Sequence, residues 1–269
     1  MLKPKFEEKT GSDNPFAKIH KIHQTILLSN KAFADLNGDG LMDFICGNNY
    51  LSYFKNIGSP TSPKFKDQSG LSNPFNSITL VQNEEFRDAN PFLGDLNGDG
   101  LIDLVFGTYN GIIHYYKNTG SITNPIFVRQ TGCFADPFHG IDVQNCRICN
   151  GAVPRLADLN ADGVLDLIVG TPNGLKYFKS TDGLTNPIYT IFSGSASPTN
   201  GIQTMTGPSY PHLGDVNGDG LMDLLVGTYY GKILYYLNTG TISCCLMLSF
   251  VILHVHMYSL RESSAFISN

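Results

Sequence analysis

Four stretches of this 269-residue chain set Asp, Asn, Asp and Asp at positions one, three, five and nine of a nine-residue phrase. They hold Asp35, Asn37, Asp39 and Asp43; Asp95, Asn97, Asp99 and Asp103; Asp158, Asn160, Asp162 and Asp166; and Asp215, Asn217, Asp219 and Asp223. Oxygen donors at this spacing suit a hard divalent cation, Ca²⁺ above all. Position six is glycine in every copy (Gly40, Gly100, Gly163, Gly220). A sharp turn there lets the carbonyl of position seven (Leu41, Leu101, Val164, Leu221) face inward as a further donor. The expected chemistry is ligation of up to four Ca²⁺, one per loop. Mg²⁺ suits the loops less well, because its small octahedral shell keeps its waters. No ligand position is left conspicuously open, so the expected role of the ion is structural rather than catalytic. Ala161 replaces the glycine at position four of the third copy. That position supplies no ligand, and the site is expected to survive.

The copies begin at 35, 95, 158 and 215, so their steps are 60, 63 and 57 residues. Other features recur in phase. Each ninth Asp opens an apolar run that ends at Gly47, Gly107, Gly170 or Gly227. An aromatic pair follows: Tyr53-Phe54, Tyr115-Tyr116, Tyr177-Phe178, Tyr235-Tyr236. Then come Pro63-Lys64-Phe65, Pro125-Ile126-Phe127 and Pro187-Ile188-Tyr189. Short runs rich in β-branched and aromatic residues, bounded by Gly, Asn and Pro, read as strands. Each period therefore holds about four short strands in up-and-down order, the pattern of a β-propeller blade. The metal loop joins the first strand to the second, the third carries the aromatic pair, and the fourth is the Pro-x-aromatic segment. The expected fold is all-β: propeller blades of four antiparallel strands over residues 1–243, four repeats visible. Residues 244–269 form a divergent apolar tail outside the repeat. An EF-hand is the rival reading of Asp-x-Asn-x-Asp-Gly, but it needs flanking helices and Glu at position twelve. That position holds Cys46, Phe106, Val169 and Val226 in strand-like runs.

The loop, the apolar run ending in Gly, and Tyr115–Gly120 and Tyr235–Gly240 (Tyr-Tyr-x-Asn-Thr-Gly) resemble the FG-GAP, or VCBS, repeat family. That family includes the calcium-bearing blades of integrin α-chain propellers and many bacterial surface proteins. The resemblance covers roughly residues 4–243. It implies blades belonging to a larger ring, commonly seven-bladed, so that four repeats read as a part or fragment of one. It implies an extracellular or cell-surface setting and a part in adhesion. It identifies a scaffold, not an activity.

Net charge is −5, yet four divalent ions would carry it to about +3. The acidity therefore reports metal loops rather than an acidic partner surface. No Lys/Arg cluster suggests nucleic acid, and none is expected as a partner. The six cysteines (Cys46, Cys133, Cys146, Cys149, Cys244, Cys245) are out of phase with the repeat. Cys146-x-x-Cys149, near Cys133 and His139, admits a zinc or redox site; a local disulfide or free thiols are the plainer reading.

The N-terminus shows no secretory signal, and the chain has no Asn-x-Ser/Thr sequon. Phe6 and Gly11 repeat the spacing of a fourth strand, whose pairing with the last blade could close the ring. The phase is lost abruptly after Ser243. The apolar run from Cys244 to Val255 is shorter than the ~20 residues a membrane helix needs. A short strand or helix packed on blade four, or disorder, is expected there rather than membrane insertion.

The function these features imply is a non-enzymatic, calcium-stabilised binding module for a protein or carbohydrate ligand. Its variable inter-blade connections carry Glu84, Glu85, Arg87, His139, Asp142, Arg147 and Tyr210. Asn73-Pro74-Phe75 and Asp136-Pro137-Phe138 read as packing turns within them. The alternatives are the propeller portion of an enzyme acting on polysaccharide or lipid, or a structural fragment with no activity of its own. Against the first, no histidine recurs in phase and no Gly-x-Ser-x-Gly phrase is present. His114, on a strand, reads as a packed side chain rather than a base.

Overall fold

The computed structural model describes residues 10–16, 30–47, 50–78, 89–141, 151–160, 162–183, 187–202, 207–240 and 252–255, with residues 143, 185 and 204 between them. The strands form four antiparallel sheets of four. The first blade is β1 (Asn30–Ala34), β2 (Asp43–Gly47), β3 (Leu51–Asn56) and β4 (Phe65–Gln68). The second is β5 (Asn90–Gly94), β6 (Asp103–Gly107), β7 (Ile113–Asn118) and β8 (Phe127–Arg129). The third is β9 (Val153–Ala157), β10 (Asp166–Thr171), β11 (Gly174–Thr181) and β12 (Ile188–Phe192). The fourth is β13 (Ser209–Gly214), β14 (Asp223–Thr228), β15 (Ile233–Tyr236) and β16 (Ile252–Val255). The chain is a four-bladed β-propeller, each blade laid down in chain order.

After its opening Asp, the second strand of each blade is largely apolar because both its faces are covered. Every residue of β2, β6 and β10 is buried. The cores lie between successive blades. Ile45 and Tyr53 of blade one pack with Leu104 and Phe106 of blade two. Val105 and Tyr115 pack with Leu167 and Val169 of blade three. Ile168 and Tyr177 pack with Leu224 and Val226 of blade four.

The turns at Asn73 and Asp136 drive a phenylalanine across each junction. Phe75 stacks on Phe127 of the next blade at 4.9 Å, and Phe138 on Tyr189 at 5.0 Å. Both are almost fully buried, which contributes about 2 kcal/mol of apolar transfer at each junction. Their direction is set by an Asx turn: Asn73 Oδ1 accepts from Phe75 N–H, and Asp136 Oδ1 from Phe138 N–H, each at 3.0 Å.

The glycine at or one before the end of each second strand has a separate reason. A Cβ on Gly47, Gly107 or Gly170 would run into the backbone carbonyl of Ala89, Ala152 or Ser209, at the inner strand of the following blade. Gly227, in the last blade, meets no such carbonyl within van der Waals overlap.

Blade four takes its outermost strand from the stretch set apart as a tail. Ile252–Val255 pairs antiparallel with Ile233–Tyr236. An outer strand needs only a free edge to pair with and residues that tolerate the extended chain, not the Pro-x-aromatic phrase. Among the described residues no helix is long and apolar enough to cross a membrane. Phe6 lies outside the described residues, and Gly11–Asp13 forms a 3₁₀ turn rather than a strand end.

Candidate metal centre

Each Asp-rich loop is the hairpin connection between the first and second strands of its blade. The register closes it: Ala34 pairs with Asp43, Gly94 with Asp103, Ala157 with Asp166 and Gly214 with Asp223. Position six turns the chain through positive φ, 81° at Gly40 and Gly100, 85° at Gly163 and 87° at Gly220. L-residues rarely enter that region, which explains the glycine in all four copies.

Position one organises the loop through its carboxylate. Asp35 Oδ2 accepts from Gly40 N–H at 2.7 Å and Oδ1 from Asp39 N–H at 3.2 Å. Asp95, Asp158 and Asp215 likewise accept from Gly100, Gly163 and Gly220 at 2.8, 2.9 and 2.9 Å. Donation from Gly220, with Gly218 and Asp219, holds the Asp215 carboxyl below its usual range. Position five accepts from the N–H of position seven in every copy, at 2.8–3.0 Å. That bond turns the position-seven residue back over the loop.

Position nine is different in kind. Asp43, Asp103, Asp166 and Asp223 are fully buried, while the other ligand positions are partly or wholly exposed. Each is held by the third strand of its own blade. Tyr53, Tyr115, Tyr177 and Tyr235 donate their hydroxyls to Oδ2 at 2.7, 2.9, 2.9 and 2.9 Å. The N–H of Asn56, Asn118, Ser180 and Asn238 donates to Oδ1 at 2.8, 2.8, 2.9 and 2.8 Å. In blades one and two the position-three amide joins them, Asn37 and Asn97 donating to the same carboxylate at 2.9 Å.

Burial of this carboxylate is electrostatically costly. Desolvation pushes Asp166 up to about 6, against the opposing hydrogen bonds from Ser180 and Tyr177, and Asp162 adds to the rise. Asp103 is raised for the same first reason. Burial also raises the tyrosine hydroxyls, so they remain donors at neutral pH.

Cations are already drawn to two of the loops. Lys55 Nζ lies 3.4 Å from Asp39 Oδ2, and Lys117 Nζ lies 3.2 Å from Asp99 Oδ2. In blade three, Asn160 Nδ2 is buried with no hydrogen-bond partner. An amide turned the other way would present its oxygen there instead. As the side chains stand, no group of three or more His, Cys, Asp or Glu among the described residues is gathered closely enough to hold an ion. The donor set is nonetheless all oxygen, and the loop collects charge that a divalent cation would neutralise. In donor type, though not in their present spacing, the residues suit such an ion. Positions one, three and five with the position-seven carbonyl would hold it, and the ninth Asp would tie it to the blade. A bound ion would supply positive charge, not reaction chemistry.

The remaining candidates scatter. Glu84, Glu85, Arg87, Asp142, Arg147 and Ala161 lie outside the described residues, as do Cys146, Cys149, Cys244 and Cys245. His139 is exposed, and Tyr210 is half-buried on β13. Cys133 is an exposed thiol; Cys46 is buried, and burial pushes its thiol up to about 12. His114 is packed, as its place on a strand suggested: it is buried against Phe106, with Arg129 Nη2 at 3.1 Å from Nδ1.

The tyrosine–aspartate bond was not foreseen from sequence. A signal for it was present: the first member of every aromatic pair is Tyr, while the second is Phe or Tyr.

Four sheets of four strands, each bearing the same Asp-rich hairpin, define a repeat-built β-propeller. The FG-GAP-like repeat profile matches residues 158–226, and the FG-GAP repeat profile matches residues 211–243. Residues 158–243 therefore carry FG-GAP-type repeats, and the other two blades repeat the same Asp-rich hairpin. It is 28% identical over 160 residues to mouse (Mus musculus) integrin alpha-8, covering 53% of this chain and 14% of that protein. It is 33% identical over 103 residues to mouse integrin alpha-3, covering 34% of this chain and 10% of that one. Drosophila melanogaster integrin alpha-PS3 is 29% identical over 156 residues, 52% of this chain and 13% of its own length. The chain thus spans about a seventh or less of these relatives. Among solved structures, an Agrocybe aegerita lectin recognising non-reducing terminal N-acetylglucosamine aligns with TM-score 0.42 and 20% identity, over 79% of this chain and 49% of that one. That likeness is too slight to bear on what this chain binds.

Proposed function

We propose that this chain is a non-enzymatic binding module whose blades are stabilised by calcium. The observation that carries the reading is the fourfold bond between a buried loop Asp and the third-strand Tyr. An ion held at the hairpin acts through that bond on the blade core. Without the ion, each loop carries three carboxylates within nine residues, and drawing them together to form a site is opposed by their repulsion. At roughly 1 mM Ca²⁺ and a dissociation constant of ~0.1 mM, each site would stabilise by about 1.4 kcal/mol and four by about 6. At submicromolar Ca²⁺ the same sites would stand nearly empty. The resemblance to integrin alpha chains supports an extracellular or cell-surface setting, where millimolar calcium prevails.

With the carboxylates committed to the loops, recognition falls to the connections between blades, which a rigid scaffold holds in place. The ligand class we propose is protein or carbohydrate, and the role adhesion or recognition. Immobilised protein with 1 mM CaCl₂ or with EGTA, presented to a glycan array and to extracellular-matrix proteins, tests this. Calcium-dependent retention on either supports the module. Turnover of a polysaccharide or lipid substrate without retention would overturn it.

A further inference from the structure

The innermost strands of all four blades surround one axial cavity of about 180 Å³. Its wall takes one residue from the same register position of each blade: Ala32, Phe92, Arg155 and His212. Blades one and two place apolar groups there, and blades three and four place basic ones. Arg155 is 6% exposed. Its Nη1 donates to Pro154 O at 2.7 Å and, across the blade junction, to Pro91 O at 3.3 Å. Both acceptors are neutral. Nε and Nη2, the edge with which a guanidinium grips an oxyanion bidentately, have no partner among the described residues. No carboxylate among them lies within ion-pairing distance of this side chain.

A guanidinium buried without an anion is expensive, and carbonyl contacts alone do not offset it. Desolvation first and the Arg155 charge second lower the pKa of His212, an exposed side chain that also lines the cavity. Lys31, an exposed residue of blade one, also lines the cavity and brings a second positive charge to its wall. The cavity is too small for a sugar or peptide segment, since drug-sized ligands occupy ~300 Å³ or more. It is large enough for one tetrahedral oxyanion.

We propose that the axial cavity binds a single small oxyanion of sulfate or phosphate type, gripped by the Nε–Nη2 edge of Arg155, with His212 of blade four and Lys31 of blade one lining the same cavity. The site is separate from the Asp-rich loops, and it draws an ion of opposite sign.

Sodium sulfate is the probe, because phosphate would precipitate calcium. It is titrated at constant ionic strength and 1 mM CaCl₂, with calorimetry and thermal unfolding as readouts. Wild type should bind one sulfate per chain and show a saturable rise in Tm above the linear stabilisation sulfate gives any protein. Arg155→Lys keeps the charge but lacks the planar edge, and its half-saturation should move at least roughly tenfold higher. Arg155→Met should lose the saturable component entirely and keep the linear one. No saturable heat in wild type, or the same saturation curve in wild type and Arg155→Lys, overturns the proposal. The wild-type calorimetry decides it even if neither variant folds.

Discussion

The Tyr115 hydroxyl donates a 2.9 Å hydrogen bond to Asp103 Oδ2, and the equivalent pair recurs in every blade. It joins the hairpin loop to the third strand at the loop end of the sheet. Asn118 N–H holds the other oxygen of the same carboxylate at 2.8 Å. Loop and blade core are therefore one hydrogen-bonded unit. Tyr115→Phe keeps the ring and deletes the donor. A buried charge loses one partner, so the expected loss is about 2 kcal/mol. Urea unfolding would measure it, and affinity for Ca²⁺ at that loop should weaken too. A variant with unchanged urea midpoint would show that the bond is incidental.

Gly107 closes β6 against the carbonyl of Ala152 in the next blade. Adding one methyl forces that junction apart. Gly107→Ala should cost about 3 kcal/mol by overpacking, whereas Gly227→Ala, whose Cβ would meet Tyr210 only at ordinary van der Waals distance, should cost no more than about 1 kcal/mol. Paired thermal melts of the two variants check this, and equal losses would contradict it.

Phe138 crosses from blade two to stack on Tyr189 of blade three. Phe138→Ala should destabilise by about 3–5 kcal/mol, since the ring is buried on all sides. Hydrogen exchange should rise at both β7 and β11, on either side of the junction. Exchange confined to blade two would show that the blades are not coupled there.

His114 is held neutral: burial first, and the Arg129 charge second, push it down to about 4 from 6.5. A group depressed in the folded state keeps its stabilising effect above its unfolded pKa and loses it as pH falls. Between pH 6.5 and 4 the unfolded chain takes a proton that the native one refuses, a loss of about 3 kcal/mol. Asp166 runs the other way, because a carboxyl raised to about 6 gains native stability as pH falls from 6 toward 3.8. His212 is lowered as well and Asp103 raised, so the wild-type pH profile alone would mix opposing contributions. The difference between wild type and His114→Gln isolates the histidine: wild type should lose about 3 kcal/mol relative to the variant between pH 7 and pH 4. Urea midpoints at the two pH values would show it, and parallel shifts would contradict it.

Much of this fold was legible because its signals repeat. The Asp loops, the apolar runs from Asp43, Asp103, Asp166 and Asp223, and the aromatic pairs each became the element their spacing implied. Asn73-Pro74-Phe75 was readable as a packing turn, since an Asx turn is local chemistry. What the ring stacks on was not readable, because Phe127 lies in the next blade. The position-nine aspartates read simply as ligands from their spacing. Only the fold shows their burial and their bond to a tyrosine ten to twelve residues on. Nor could sequence show that Arg155 and His212 share an axis. Each breaks the repeat at one register position, and that position acquires meaning only when four inner strands face one another. Ile252–Val255 carries no repeat phrase, and its place as an outer strand follows from the free edge of β15.

Calcium titration of the purified chain by calorimetry, paired with melts in 1 mM CaCl₂ and in EGTA, tests the central claim most directly. We expect up to four sites of ~0.1 mM affinity and a Tm higher by roughly 10 °C or more when they fill. Absence of binding heat together with identical Tm in calcium and chelator would contradict the account.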